Sequence, residues 1–251
     1  MKCVHLVFFD NGLRAVGSDS YRIASAKGDS GAIGDVDMLI PAVSLEKLAQ
    51  LVSDKDRFMV GTSGKTVVFM KEDFAFSARL MGGRYFDADQ LLGRAQPSFT
   101  VLTDAEAMKQ VLSAVYPVTG MQNRFSLTFA GNKLRMRFES EFGTSSIEMD
   151  VIPLSGTPEG VFWYNPAKLL ECLRAQRGAL MLGLAQNGAL LMRTDDLVCL
   201  QLATREPKPI EIKPRETKTK ESAAKEAEAQ SKTKAKEKKG AAKKAAQGGT
   251  A

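Results

Sequence analysis

Apolar and polar positions along this chain repeat one order: an amphipathic helix, a strand, a glycine- or asparagine-containing turn, then two more strands. One copy is expected over 41–80. Leu45, Leu48, Leu51 and Val52 form its helical stripe, and Ser63-Gly64 turns between runs at 58–60 and 66–70. A second copy spans 103–151, with Met108, Val111, Leu112 and Val115 at helical spacing and Gly131-Asn132 at its turn. A third spans 165–203, with Leu169, Leu170 and Leu173 on the helix and Asn187-Gly188 at the turn. The stretch 6–27 reads as a copy without a helix, turning at Asn11-Gly12. Tight turns between apolar runs predict hairpins, and recurrence of the whole unit predicts a duplicated fold. Alternation over 125–129, 134–138 and 145–151 predicts antiparallel strands with one wet face, so the fold class is α+β.

Charge divides the chain. Of its 35 Lys/Arg and 29 Asp/Glu, 13 and 7 fall in 206–251, leaving 22 of each in 1–205. The body is therefore neutral and the basic character belongs to the tail. That tail carries no aromatic residue, and Ile210 and Ile212 are its only large apolar side chains. It cannot bury enough surface to offset chain entropy and is expected to be disordered, with transient helix over 222–239. Cys3, Cys172 and Cys199 are too scattered for a disulfide framework or a zinc site, which fits a reducing compartment. The apolar run ending at Phe9 is too short for a signal peptide, and no run approaches a membrane span, so a cytoplasmic protein is expected.

Local chemistry points to helix ends rather than to catalysis. Thr103 with Glu106 has capping-box spacing, Asn165-Pro166 places a cap before a first-turn proline, and Pro41 is expected to play that first-turn part too. His5 stands alone on an apolar strand and reads as structural. No Ser, Cys or Lys has a visible base partner, and no carboxylates are paired for acid–base work. The segment Gly61-Thr62-Ser63-Gly64-Lys65-Thr66 superficially resembles a phosphate-binding loop, but Met59 stands where the first glycine belongs and β-type residues follow. The residues imply no catalytic site, metal or cofactor, and thus not an enzyme.

The stretch Leu13-Arg14-Ala15-Val16-Gly17-Ser18-Asp19-Ser20-Tyr21-Arg22-Ile23-Ala24 resembles the most recognisable segment of the bacterial DNA polymerase III beta subunit family, the sliding clamps. There a strand ends in Asp, followed by a small residue, His or Tyr, Arg and an apolar residue. In order, Ile40-Pro41-Ala42 is similar to the family's second-domain crossover and Gly83-Arg84-Tyr85-Phe86-Asp87 to its interdomain linker. Asn165-Pro166-Ala167-Lys168-Leu169-Leu170 is similar to its last helix. The resemblance covers about 4–203. It implies the DNA-clamp fold, with a middle-like domain at 1–95 lacking its first helix, a C-terminal-like domain at 96–205 and the basic tail at 206–251. The family's first domain has no counterpart in the match. An upstream start codon would explain this, and a ring of three two-domain subunits would be the alternative to the family's ring of two.

By resemblance the chain is a non-catalytic processivity factor that encircles duplex DNA without reading sequence. It would tether DNA polymerase and clamp-loader peptides and form a homo-oligomer. Carried over by position, the partner-peptide pocket comprises Arg22, Ile23, Phe86, Leu91, Asn165, Lys168, Leu200, Gln201 and Leu202. Lys47, Lys109, Arg174 and Arg177 are the expected DNA-facing side chains, aided by the tail. The sequence departs from the family at Phe86, where Pro is usual, at Ala88, where Tyr is common, and at Leu200-Gln201-Leu202-Ala203, where Met-Pro-apolar-Arg is common. The alternative reading is a clamp-derived peptide binder that competes for clamp partners without encircling DNA.

Overall fold

The computed structural model describes residues 3–32, 35–53, 55–118, 124–140, 143–157 and 160–206. The chain divides into a compact unit, Met1–Pro209, and a second unit, Ile210–Ala251. The second unit, and with it the expected disordered tail beyond Glu206, lies outside the described residues.

The first hairpin pairs β1 (Cys3–Phe9) with β2 (Gly12–Ser18), and β3 (Arg22–Asp29) and β4 (Val36–Pro41) flank it. Helix α1 (Ala42–Leu51) follows, then a three-stranded meander of β5 (Met59–Ser63), β6 (Thr66–Lys71) and β7 (Phe74–Arg79). After a short helix α2 (Ala88–Arg94), β8 (Phe99–Asp104) leads into α3 (Ala105–Val115) and the hairpin β9 (Phe125–Ala130) and β10 (Lys133–Ser140). Strands β11 (Gly143–Asp150), β12 (Ile152–Ser155) and β13 (Phe162–Tyr164) precede α4 (Pro166–Leu173). The chain then forms β14 (Ala179–Leu184), β15 (Leu190–Arg193) and β16 (Leu197–Gln201). Each helix at 42–51, 105–115 and 166–173 is thus followed by a hairpin and a third strand, while β1–β3 lack a helix, as the repeat predicts.

All strand pairs are antiparallel. Strands β12-β8-β14-β15-β16-β3-β2-β1-β4 form one nine-stranded sheet, β11-β10-β9-β13 a second, and β5-β6-β7 a third. The pairing of β16 with β3 joins the two halves of the chain, with Leu200 opposite Ile23 and Gln201 opposite Arg22.

Helix α3 buries Met108, Leu112 and Val115 and α4 buries Leu169, Cys172 and Leu173, one stripe each at three- and four-residue spacing. These stripes and the inward residues of β9, β10 and β14 make the largest apolar core, in which Phe125 stacks on Phe138 at 5.2 Å. In the first half, Leu48 of α1 packs with Leu6, Ile40, Val67 and Phe69 in a smaller core. A third cluster lies between the halves: Val16, Ile23 and Leu200 pack with Ala88 and Ala95 at the two ends of α2.

Helix ends show two corrections. Asp104, the last residue of β8, and not Thr103, caps α3 by accepting the Ala107 N–H at 2.8 Å, because the helix begins at Ala105 and the capping position is the residue before it. Pro41 occupies the cap position itself at φ −54°, ψ 129°, so α1 starts one residue later and has no side-chain cap. Asn165 caps α4 as expected, accepting the Lys168 N–H at 3.1 Å with Pro166 in the first turn. The turns also shift: Gly64-Lys65 and Asp10-Asn11 are the turn residues, Asn11 taking a left-handed φ of 58°. Between β14 and β15 Gly188 has φ 78°, and a Cβ there would stand 2.4 Å from the Phe162 ring, so both conformation and space exclude a side chain.

Candidate functional site

The Asp19–Arg22 turn between β2 and β3 anchors the site. The Tyr21 N–H donates to Asp19 Oδ1 at 3.1 Å, an Asx-type turn, and Ser20 sits at φ 74°. That left-handed φ is the physical reason for a small residue after the Asp. The turn aims the Arg22 guanidinium at α4. Its Nε donates to Asp19 Oδ2 at 3.0 Å, its Nη1 to the Lys168 carbonyl at 2.9 Å, and its Nη2 pairs with Glu171. Lys168 Nζ returns to Asp19 Oδ2 at 3.2 Å and stands 4.5 Å from the centre of the Tyr21 ring. Burial opposes charge on Asp19, but the Tyr21 N–H, Arg22 and Lys168 together hold its carboxyl below the usual range. Arg22 loses some solvation, which Glu171 and Asp19 more than offset.

Of the nine pocket candidates, Arg22, Ile23, Leu200 and Gln201 lie on strands, and alternation sorts these four onto two faces of the sheet. Ile23 and Leu200 point into the cluster between the halves, where Phe86 packs against them. Arg22 and Gln201 are opposite one another on the α4 face, where the Cys199–Ala24 pair also joins the α4 core. On that face the polar atoms are committed internally. Asn165 Oδ1 is the helix cap, and the Asn165 carbonyl accepts from Gln201 Nε2 at 3.5 Å. Gln201 Oε1 is buried without a partner among the described residues. Leu202 lies just past β16, 46% exposed, its N–H donating to the Tyr21 carbonyl at 2.9 Å. Leu91 is 38% exposed on α2, and Tyr21 is 58% exposed.

Tyr21, Leu91 and Leu202 are thus exposed apolar side chains, and Phe86 is half-buried. Tyr21 is absent from the nine candidates, although its place in the Asp-to-Arg motif was its signal.

Helix α2 was not anticipated as a helix, and it is capped locally and tied to β2 by an ion pair. Asp87 caps it through the Gln90 N–H at 2.9 Å. Arg14 of β2 makes a two-pronged ion pair with Asp89, both contacts at 2.6 Å, while its Nε donates to Ser25 Oγ at 2.9 Å. Just before α2, the Tyr85 hydroxyl donates to the Val16 carbonyl at 3.1 Å, and burial pushes its phenol up to about 12. Phe86 stacks beside Tyr85 at 4.5 Å. Beside α2 a cleft of about 610 Å³ carries both signs of charge, with Arg14, Lys27, Arg193, Asp89, Asp195 and Asp196 on its walls. Asp89 is 72% exposed, so a double-mutant cycle on Arg14 and Asp89 should give a coupling of only about 0.5–1 kcal/mol. Urea melts of Arg14→Asp, Asp89→Arg and the swapped pair measure it, and the swap is expected to recover most of the loss. A swap no more stable than the single variants would show that the ion pair does not hold α2.

Three of the four DNA-facing candidates meet where α3 begins and α4 ends. Lys109 Nζ donates to Glu106 at 2.7 Å and to the Gln176 carbonyl at 3.0 Å. Arg177 donates to the Arg174 and Gln176 carbonyls at 2.6 and 2.9 Å. Arg174, exposed, ends α4. Lys47 is exposed on α1, in the other half. His5 Nε2 donates to Asp37 Oδ1 at 2.7 Å beside Tyr85, a structural setting. The hexapeptide at 61–66 is a hairpin, β5 into β6. Among the described residues no group of three or more His, Cys, Asp or Glu could hold a metal ion, and no helix is long and apolar enough to cross a membrane.

No family model matches the chain. Among curated proteins, the beta sliding clamp of Lactococcus lactis is 24% identical over 180 residues, covering 68% of this chain and 47% of that protein. Among solved structures, the DNA polymerase sliding clamp of Bacillus subtilis superposes with a TM-score of 0.74 at 17% identity over 82% of this chain and 57% of its own. The Pseudomonas aeruginosa sliding clamp bound to griselimycin gives 0.72 at 18%, with the same coverages. The chain therefore has the DNA-clamp fold, and it spans about half the length of the curated relative it matches.

Proposed function

We propose that the chain is a non-catalytic, clamp-like replication accessory protein that holds short apolar peptides of DNA polymerase or clamp-loader type. The observation that carries this reading is the Ile23–Leu200 pair, which joins β3 to β16 in a cluster with Phe86 and is followed by the Leu202-to-Tyr21 backbone bond. Two domains meeting at this junction, 1–95 and 96–205, are part of the same reading, as is a homo-oligomeric assembly working in the cytoplasm. An apolar groove with a fixed backbone suits an extended peptide with one or two large apolar side chains. Calorimetric titration with a short polymerase-tail peptide tests it. Binding is expected on the order of micromolar, because little area is buried and the peptide must be ordered. No heat and no competition at high peptide concentration, from folded protein, would sink the reading.

Duplex DNA is the second proposed partner, contacted loosely and without base readout, as sliding requires. A specific observation favours the alternative, a peptide binder that competes for clamp partners without encircling DNA. The body's charges balance, and Lys109 and Arg177 already serve local acceptors. Removing 207–251 should therefore flatten the salt dependence of DNA binding, each lost phosphate contact taking roughly 0.9 from the log–log slope. An unchanged slope would place the contacts on the helices and favour the encircling clamp.

A further inference from the structure

We propose that Cys172 of α4 and Cys199 of β16 form a redox-sensitive pair, which peroxide closes into a disulfide tying the helix to the strand. Both side chains belong to the largest apolar core, and the proposal does not rest on the function given above.

The two cysteines are 27 positions apart in the chain, and folding brings them together. Cys199 Sγ donates to the Cys172 carbonyl at 3.6 Å, and the two side chains also interact thiol to thiol. Both thiols are free, Cys172 6% exposed and Cys199 1%. Strand β16 is paired on both sides, with β15 and β3, and α4 is held by buried Leu169 and Leu173. The sulfurs are therefore kept near one another in the folded state. Cys172 is in the last turn of α4, and a helix end is where local opening is cheapest, which gives peroxide its way in.

The surroundings give the two thiols different parts. The Cys199 thiol and then the Arg22 guanidinium hold Cys172 below the usual thiol range against the opposing effect of burial. The Cys172 thiol and burial push Cys199 up, so Cys199 keeps its proton. Gln176 is fully buried, its Nε2 has no hydrogen-bond partner among the described residues, and its amide lies beside the Cys199 thiol. It is an N–H donor for charge that develops on the sulfurs. In the first step the Cys172 thiolate attacks peroxide: an S–O bond forms, the O–O bond breaks, and the departing hydroxide takes up a proton as water. The Cys199 sulfur then attacks the resulting sulfenic sulfur, losing its proton as the S–S bond forms and a second water leaves. The sulfurs give up two electrons and the peroxide oxygens accept them. A dithiol reverses the closure by exchange and is itself oxidised to a cyclic disulfide. A transient pair of this kind fits a compartment that keeps thiols reduced.

The test treats the reduced full chain, freed of reductant, with hydrogen peroxide, then unfolds it in alkylating agent and weighs it. Its three thiols should fall to one, with the loss of two hydrogen atoms in mass and a linked Cys172–Cys199 peptide in the digest. Dithiothreitol should restore all three. In Cys199→Ala the reaction should halt at the sulfenic acid, so dimedone should label Cys172, whereas Cys199 in Cys172→Ala should stay unlabelled. Three intact thiols in the treated wild type would overturn the proposal, as would oxygen added at Cys172 without a link, or a link made through Cys3. Dimedone on Cys199 would overturn the assignment of Cys172 as the attacking thiol.

Discussion

Leu202→Asp is expected to abolish peptide binding while leaving the fold intact. Leu202 is 46% exposed and follows the last strand, so its side chain carries little of the core. Its backbone bond to the Tyr21 carbonyl survives the change. A carboxylate set against an apolar peptide side chain without a partner costs about 1–3 kcal/mol, roughly 5- to 150-fold in Kd. Starting from micromolar affinity, the upper end of that range removes the heat from an ordinary calorimetric titration, and the lower end reads as a several-fold weaker Kd. Phe86→Pro, the residue usual in the family, is the companion change. The Phe86 ring packs on the Ile23–Leu200 cluster, and its removal should widen the groove and tighten binding. Wild-type affinity in Leu202→Asp would place the peptide elsewhere on the molecule.

Leu169→Ala is expected to lower stability by about 2–5 kcal/mol, the cost of lost transfer energy plus a cavity that the neighbours cannot fill. Leu169 is fully buried in the α4 stripe, and its N–H opens the helix by donating to the Asn165 carbonyl at 3.1 Å. For a body of this size the corresponding drop in Tm is about 5–15 °C by thermal melt. Because α4 also supplies the Lys168 carbonyl and Glu171 to Arg22, peptide affinity should fall alongside stability. A melt within a degree of wild type would mean that α4 is not held by this stripe.

Much of the fold was legible because its signals are local. Met108, Leu112 and Val115 repeat at helical spacing, and Asn165-Pro166 starts a helix by satisfying backbone N–H groups that no tertiary contact supplies. Gly131 supplies the left-handed φ of 59° that its turn requires, whatever surrounds it. Helix α2 was illegible for the opposite reason. Its seven residues include Gly93 and bury only Ala88, so pattern alone does not call for a helix. What holds it comes from far along the chain: Ala88, Leu92 and Ala95 pack on the cluster of Val16, Ile23 and Leu200, and Arg14 adds an exposed ion pair. Likewise Thr103 and Asp104 are both good caps in isolation. Strand β14 begins at Ala179, opposite Asp104, so the ladder runs out there and the helix starts at Ala105.

The site divides the same way. The order of Asp19, Ser20, Tyr21 and Arg22 determined a tight turn, because an Asx bond and one left-handed residue are properties of four consecutive positions. The residue list for the groove also came from the sequence, by position. Which face of the sheet each of the strand side chains takes was decided by the tertiary structure, through the pairing of β16 with β3. That register turns Ile23, Leu200 and Phe86 toward one cluster and commits Arg22, Asn165 and Gln201 to bonds on the other face. Strand register is a long-range choice between segments almost 180 residues apart, and nothing in either segment alone specifies it.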